Sequence, residues 1–230
     1  MLLLALDTAL GAASAAILDT ETGEVVARLS EPMERGHAER LMPLVADLAA
    51  GAGIKLRAVG RFAATVGPGS FTGLRVAVAA ARAMALAAGG DAVGIATLDA
   101  LAAPLLDGPG RRHVLAAIDA RHGHVYASFV GADGSLLREA GYWPAAEAAA
   151  LAAAHGATLT GPGLAVVQAA WPPGTPPPAE SAPAAYPDIG WVARLGARAA
   201  PATAPCRPLY LKAADAKPQL RPQRRPAVAP

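Results

Sequence analysis

The chain has 230 residues and is poor in cysteine, in aromatic side chains and in long uninterrupted apolar runs. Its one cysteine, Cys206, excludes an intrachain disulfide, which is typical of proteins from a reducing compartment. The apolar run over residues 76–90 contains Arg82 and is shorter than the ~20 residues of a membrane span. The apolar N-terminus reaches Asp7 without the basic start of a signal peptide. We therefore expect a cytoplasmic protein that does not contact a membrane.

Aromatic residues make up only 4% of the chain, although 53% of it is hydrophobic and much of that fraction is alanine. A core of this composition depends on close approach of helices rather than on large side chains. Enough apolar material is present for one large domain or two small ones.

The formal net charge of +2 conceals an asymmetry along the chain. Residues 207–230 carry six basic and one acidic residue, whereas the remaining 206 residues carry 14 basic and 17 acidic residues. A basic tail either is a solvated segment that aids solubility or adds weak, salt-sensitive affinity for a nucleic acid.

The first half of the chain alternates strand and helix patterns. Three consecutive apolar runs favour an antiparallel meander, and later runs have helical spacing of apolar residues. The predicted strands cover residues 2–6, 12–18, 24–30, 62–66 and 92–96, and the predicted helices cover residues 37–50, 76–88 and 98–106.

The same order of patterns begins again after residue 112. Strands are predicted over residues 113–118, 124–130, 136–142 and 158–160, and helices over residues 145–154 and 189–199. The repetition predicts two related α/β lobes, residues 1–107 and 108–217, with a boundary near 107–112. Residues 172–187 are predicted to be a Pro-rich loop, and residues 218–230 a disordered basic tail rich in proline.

Residues 67–75 (GPGSFTGLR) lie between a predicted buried strand and a predicted helix. The glycine spacing does not fit a Walker A loop, which also needs a following lysine. It does not fit the dinucleotide pattern GxGxxG either, because Thr72 occupies the last glycine position. Such a turn can bring backbone N–H groups close to a ligand or to another backbone.

Asp7 and Thr8 end the first predicted strand and allow two interpretations. In actin-like ATPases and sugar kinases an acidic residue and hydroxyls at this place face magnesium and phosphates. Alternatively, Asp7 forms a turn and accepts a hydrogen bond from its own backbone. On the first interpretation, the nucleotide-facing residues are Asp7, Thr8, Gly67, Gly69, Ser70 and Thr72.

Candidate metal ligands and nucleophiles are sparse. The segment that begins at His37 has Leu41 where a zinc helix of the HExxH type needs its second histidine. His122 and His124 would share a face of a strand, but no third ligand of characteristic spacing accompanies them. Cys206 has no assignable base, and Ser70 is not in a Gly-x-Ser-x-Gly elbow. The sequence thus predicts no catalytic residue and no metal site.

The predicted helix over residues 76–88 is rich in alanine and apolar on nearly every side except at Arg82. A helix that is apolar all round is buried on all sides. Either its own sheet wraps it completely, or another chain covers one side, with the helix over residues 37–50 extending the same surface.

Five segments together resemble one protein family. They are residues 4–9 (LALDTA), 35–43 (RGHAERLMP), 67–75 (GPGSFTGLR), 118–121 (IDAR) followed by Val125 and Tyr126, and 208–212 (PLYLK). In these segments the chain resembles the TsaB (YeaZ) family, the bacterial paralogues and partners of TsaD in threonylcarbamoylation of the tRNA adenosine beside the anticodon. The resemblance covers about residues 1–217.

The resemblance implies a two-lobed actin-like, Hsp70-like (ASKHA) α/β fold with mixed sheets flanked by helices. It also implies a scaffold without catalytic activity, because TsaD-type paralogues hold a metal between two histidines on a helix and this chain has Leu41 at the second position. The family's partner contact carries over to the helices near residues 37–50 and 72–88. The interface residues expected there are Glu39, Leu41, Met42, Val45, Leu48, Arg75, Ala79, Arg82, Ala83 and Leu86.

The partners implied by the resemblance are TsaD, as a heterodimer, and the ATPase TsaE, which the complex would recruit. Alone, the chain would associate with itself through the same helices. No cofactor is expected for this chain, and ATP is expected only at the level of the complex. Contact with tRNA would be indirect or through the basic tail. The alternative functions are a small-molecule kinase or ATP-binding protein of the actin-like superfamily and, least favoured, a metallopeptidase.

Overall fold

The computed structural model describes residues 1–110, 112–178 and 180–212. The predicted disordered tail over residues 218–230 lies outside the described residues, as does the end of the predicted second lobe, residues 213–217. The strands are β1 (Leu2–Asp7), β2 (Ala12–Asp19), β3 (Val25–Pro32), β4 (Val59–Gly67), β5 (Asp91–Ala96), β6 (Val114–Asp119), β7 (His124–Val130), β8 (Leu136–Pro144), β9 (Thr158–Thr160) and β10 (Ser181–Ala182). The helices are α1 (His37–Gly51), α2 (Phe71–Ala88), α3 (Thr97–Leu106), α4 (Ala145–Ala154), α5 (Leu164–Ala169) and α6 (Ile189–Arg198).

The two five-stranded sheets have the same strand order. In the first sheet the order is β3-β2-β1-β4-β5, with an antiparallel meander on one side and the parallel strands β4 and β5 on the other. The second sheet, read in the same direction, is β8-β7-β6-β9-β10 with the same pattern of antiparallel and parallel pairs. This duplication confirms the predicted fold class, an actin-like α/β fold of mixed sheets flanked by helices.

Both faces of the first sheet are covered by helices. The side chains of β1 alternate between the two faces of the sheet. Leu4 and Leu6 pack toward α1 and α2, whereas Leu3 and Ala5 pack toward α6. On the second sheet, α4 and α5 cover one face, and α3 packs against β6 on the other. The sheets are therefore held together through α3 and apolar side chains around it.

The helix α6 packs on the first sheet, although it lies near the end of the described chain. Its buried residues Val192 and Ala193 pack with residues of β1, β2 and β5, and Gly196 allows it to approach β4 closely at Ala63. The boundary proposed near residues 107–112 stays a prediction. The first sheet is nevertheless completed by a helix that follows the second sheet in the chain.

The predicted helices and strands are confirmed except at a few places. The sequence pattern missed the short elements α5 and β10 and a 3-10 turn at Leu56–Ala58. The predicted start of α2 at residue 76 was wrong, because the helix begins at Phe71. Ser70 caps it by accepting a hydrogen bond from the Gly73 N–H over 3.3 Å. Residues 71–75, more than half of the predicted turn, are therefore helical.

Candidate partner interface and the convergence of the motif segments

One face of α2 is exposed along its whole length. The predicted interface residues of this helix are all exposed and are defined here as the α2 stripe: Arg75, Ala79, Arg82, Ala83 and Leu86. Leu86 is 85% exposed, although leucine is among the residues most often buried in proteins. Of the two alternatives for α2, complete wrapping by its own sheet is therefore wrong. By length and composition alone α2 could also cross a membrane, a test that buried core helices pass as well.

The helix α1 contributes fewer exposed residues than the sequence predicted. Glu39 and Met42 are exposed, and Met42 is 45% exposed. Leu41, Val45 and Leu48 are buried against the first sheet, so a partner cannot reach them in this structure. Their assignment to the interface was wrong, because their helical spacing marks the face that packs on the sheet.

The helices α1 and α2 pack against each other on the same face of the first sheet. Their outward residues therefore belong to one side of the molecule, where small alanines alternate with Arg75 and Arg82. Small side chains permit the backbone of a partner helix to approach closely. The geometry fits helix-on-helix packing with another chain.

Asp7 is completely buried at the end of β1. Its Oδ1 accepts hydrogen bonds from the Thr65 hydroxyl over 2.5 Å and from the Ala9 N–H over 3.1 Å. Among the residues that the structure describes, its Oδ2 has no hydrogen-bond partner. Burial raises the pKa of Asp7 to about 6, opposed by the hydrogen bonds from Thr65 and Ala9 and by nearby His37. The hydrogen bond to Ala9 is the turn-forming contact that the second interpretation of Asp7 requires.

The glycine-rich loop packs on the backbone that follows Asp7. The Ser70 N–H donates to the Ala9 carbonyl over 2.7 Å, and the Thr8 hydroxyl donates to the Gly73 carbonyl over 2.6 Å. A Cβ at Gly69 would collide with the Ala9 carbonyl, and one at Gly73 with the Thr8 carbonyl. These glycines therefore allow the backbone of the loop to lie close to the backbone of Thr8 and Ala9.

The motif segments meet at this loop although they are far apart in the sequence. The Leu209 N–H donates to the Val66 carbonyl over 2.7 Å, and the ring of Tyr210 lies 6.0 Å from that of Phe71. The His37 Nε2 lies 3.0 Å from the Leu10 carbonyl oxygen. The segments 4–9, 35–43, 67–75 and 208–212 thus form one contiguous region.

An open cleft of about 600 Å³ lies between the turn after β1, the loop before α1 and the start of α2. Of the predicted nucleotide-facing residues, only Ser70 and Thr72 line it. Asp7 and Thr8 are buried beneath the turn, and Gly67 lies against the Leu209 carbonyl instead. The structure therefore does not bring the six predicted residues together around one ligand site.

The histidine pair at the start of β7 does not have the predicted geometry. His124 is the first residue of the strand, but His122 lies in the preceding turn with a left-handed φ of 52°. The two side chains therefore do not occupy alternate positions of one strand. Among the residues that the structure describes, no three His, Cys, Asp or Glu side chains lie close enough to share a metal ion.

Cys206 is buried, and burial raises the pKa of its thiol to about 11, with a smaller opposing effect of Arg82. At pH 8 only about one molecule in a thousand then carries the reactive thiolate. We expect the folded protein to react with a thiol reagent such as dithionitrobenzoate far more slowly than the same protein in urea. Stoichiometric labelling of the folded chain within seconds would contradict this inert environment.

Comparisons with known proteins agree with this architecture. Residues 24–157, more than half of the chain, match the family model described as TsaD, tRNA N6-adenosine threonylcarbamoyltransferase. YeaZ from Pseudomonas aeruginosa has a TM-score of 0.74 and 30% sequence identity, covering 91% of this chain and 99% of that chain. The chain belongs to the TsaB (YeaZ) family.

Two further relatives place the chain within the TsaB family. An uncharacterized protein from Pseudomonas aeruginosa, described as similar to peptidase YeaZ, has a TM-score of 0.75 and 30% identity, covering 92% of this chain and 99% of that chain. The tRNA threonylcarbamoyladenosine biosynthesis protein TsaB of Escherichia coli K12 is 40% identical over 126 residues, 55% of this chain and 53% of the relative. The matched region thus spans about half the length of that curated relative.

Proposed function

We propose that this chain is a non-catalytic subunit of the machinery that makes threonylcarbamoyladenosine in tRNA, and that it acts by binding TsaD. Its membership of the TsaB family supports the pathway, because the Escherichia coli relative is named as a biosynthesis protein for this modification. The fit of residues 24–157 to the TsaD model supports a paralogous pair that packs with pseudo-symmetry.

The observation that carries the proposal is the exposed α2 stripe. An 18-residue helix that leaves Leu86 and a row of alanines uncovered has the surface of a subunit interface. Glu39 and Met42 of α1 extend this surface on the same side of the first sheet. In the absence of TsaD, the same surface would pair two copies of the chain.

The remaining parts of the proposal follow from the paralogous pairing. TsaD carries out the transfer, the assembled complex recruits TsaE, and ATP acts at the level of that complex in the cytoplasm. This chain needs no cofactor of its own. The burial of Asp7 and Thr8 weighs against the alternative of a kinase, because phosphates cannot reach these side chains through the turn that covers them.

The test is complex formation between the purified chain and its cognate TsaD, measured by size-exclusion chromatography with light scattering. We expect the unmodified chain to form a heterodimer and Ala83→Glu to lose it, because the substitution places a charge in the middle of the interface. The matched control is Ala150→Glu, the same substitution at an exposed alanine of α4, which we expect to bind as the unmodified chain does.

Circular dichroism of both variants checks that they remain folded. If the unmodified chain forms no complex with TsaD, the scaffold proposal is wrong. If Ala83→Glu binds TsaD as well as Ala150→Glu does, the proposed interface on α2 is wrong and the contact lies elsewhere.

A further inference from the structure

Five rings form a band across the junction of the two sheets, defined here as the aromatic band: Phe71, Tyr210, Tyr126, Tyr142 and His124. The rings of Phe71 and Tyr210 are 6.0 Å apart. The rings of His124 and Tyr142 are stacked 4.5 Å apart and within 4° of parallel, and Tyr126 lies 5.7 Å from Tyr142. Tyr126 and Tyr210 line the same narrow crevice, so the two groups form one surface.

This clustering is unusual for a chain so poor in aromatic residues. Three of its four tyrosines belong to the aromatic band. Core packing does not account for the outer pair, because Phe71 is 58% and Tyr210 52% exposed. Large exposed rings side by side are typical of a surface that receives a partner.

Positive charges accompany the rings. The Arg75 guanidinium lies 3.6 Å from the centre of the Phe71 ring, and the Lys212 Nζ lies 5.3 Å from that of Tyr142. Arg121 is exposed in the turn before β7, where it has a left-handed φ of 66° and its carbonyl accepts a hydrogen bond from the His124 N–H over 3.1 Å. The nearby Asp119 accepts a hydrogen bond from the Arg121 N–H over 2.7 Å, which holds this turn in place.

We propose that the aromatic band binds a single-stranded RNA loop. Exposed rings provide stacking platforms for nucleobases, and cations beside them contact the phosphates, which is the combination found in proteins that bind single strands. Sequence-specific proteins also recognise RNA mainly through unstacked bases of loops. The choice of a tRNA loop among single-stranded nucleic acids rests on the proposed function.

The aromatic band and the proposed TsaD interface share Arg75, but the band lies away from the middle of that interface. Phe71 is the first residue of α2, and Ala83 lies about 18 Å farther along the same helix at 1.5 Å per residue. A variant at Ala83 can therefore remove the partner contact and leave the RNA surface unchanged. The two proposals can fail independently.

The test measures binding of the full chain to a fluorescently labelled anticodon stem-loop by anisotropy at several salt concentrations. We expect Tyr210→Leu to weaken binding about tenfold, because a leucine keeps apolar contact with Phe71 but offers no platform for a base. Tyr210→Phe keeps the ring and should bind within about twofold of the unmodified chain. Three phosphate contacts by Arg75, Arg121 and Lys212 predict a slope of about −2 for log K against log salt.

Two controls make the result decisive. Ala83→Glu should bind the stem-loop normally, even if it has lost TsaD. The second control is a variant in which three tail residues, Arg221, Arg224 and Arg225, are changed to Gln. It shows how much of the RNA affinity comes from the basic tail. Tyr210→Leu should weaken RNA binding in this variant too.

The proposal is overturned if binding is unmeasurable without the tail arginines. It is also overturned if Tyr210→Leu leaves RNA affinity unchanged, whether or not the melting temperature falls. With a lowered melting temperature, the role of the ring would be to hold residues 208–212 against α2. A different outcome is that neither the unmodified chain nor Ala83→Glu binds TsaD, while RNA affinity still depends on the Tyr210 ring. The RNA proposal is then supported and the proposed function is wrong.

Discussion

Replacing Gly73 with alanine is expected to lower the free energy of unfolding by about 3 kcal/mol or more, at the upper end of the cost of overpacking a core. Gly73 is buried in the first turns of α2, and a Cβ there would collide with the Thr8 carbonyl. The obstacle is backbone, which cannot move aside as a flexible side chain can. Any shift would also disturb the 2.6 Å hydrogen bond from the Thr8 hydroxyl to the Gly73 carbonyl. Urea denaturation followed by circular dichroism measures the loss.

The matched control for Gly73→Ala is Gly51→Ala. Gly51 is the last residue of α1 and has open space where a Cβ would lie. Alanine there should leave the protein unchanged or stabilise it by about 0.5–1 kcal/mol, because glycine loses more backbone entropy on folding. Equal stability of the two variants would show that the close contact between the loop and the turn after β1 is not maintained in solution.

Replacing Asp7 with asparagine is expected to affect the free energy of unfolding about 3 kcal/mol more favourably at pH 7.5 than at pH 4. Burial raises the pKa of Asp7 to about 6 in the folded chain, whereas an unfolded chain has a value of about 3.9. The folded state therefore binds more protons between pH 4 and pH 6. The contribution of Asp7 to stability is fully present at low pH and is lost as the pH rises through about 6.

Asparagine keeps an oxygen acceptor for Thr65 and Ala9 but carries no charge, so this pH dependence should disappear. For a chain of this size, the melting temperature of the variant relative to that of the unmodified chain should therefore rise by roughly 6–12 °C between pH 4 and pH 7.5. Asp107→Asn removes one exposed carboxylate and controls for the change in net charge. An equal effect of Asp7→Asn at both pH values would mean that the pKa of Asp7 is not raised in the folded protein.

The sequence predicted the strands and helices well where apolar residues follow a clear period. The three-strand meander of β1 to β3 and its repetition in β6 to β8 follow from such patterns. The start of α2 could not be predicted in this way, because Phe71 to Arg75 contain a glycine and a threonine that read as part of the turn. The hydroxyl cap from Ser70 and the contact with the turn after β1 make those residues helical.

The candidate interface was only partly predictable. The small residues of α2 marked a surface for close approach, and the α2 stripe is exposed as that hypothesis needs. In α1, however, Leu41, Val45 and Leu48 were assigned to the partner because they are apolar, although their period marks the face that packs on the first sheet. An apolar side chain alone does not reveal whether its own chain or another covers it.

The sequence by itself determined the family, the duplicated α/β architecture and most element positions, because local periodicity and short motifs depend on neighbouring residues. Only the tertiary structure decided that the turn after Asp7, the glycine-rich loop and residues 208–212 pack together. It likewise decided that Asp7 is buried and that four aromatic residues from distant segments lie in one band with His124. These contacts join residues far apart in the chain, and their distances depend on how the two sheets and α3 pack.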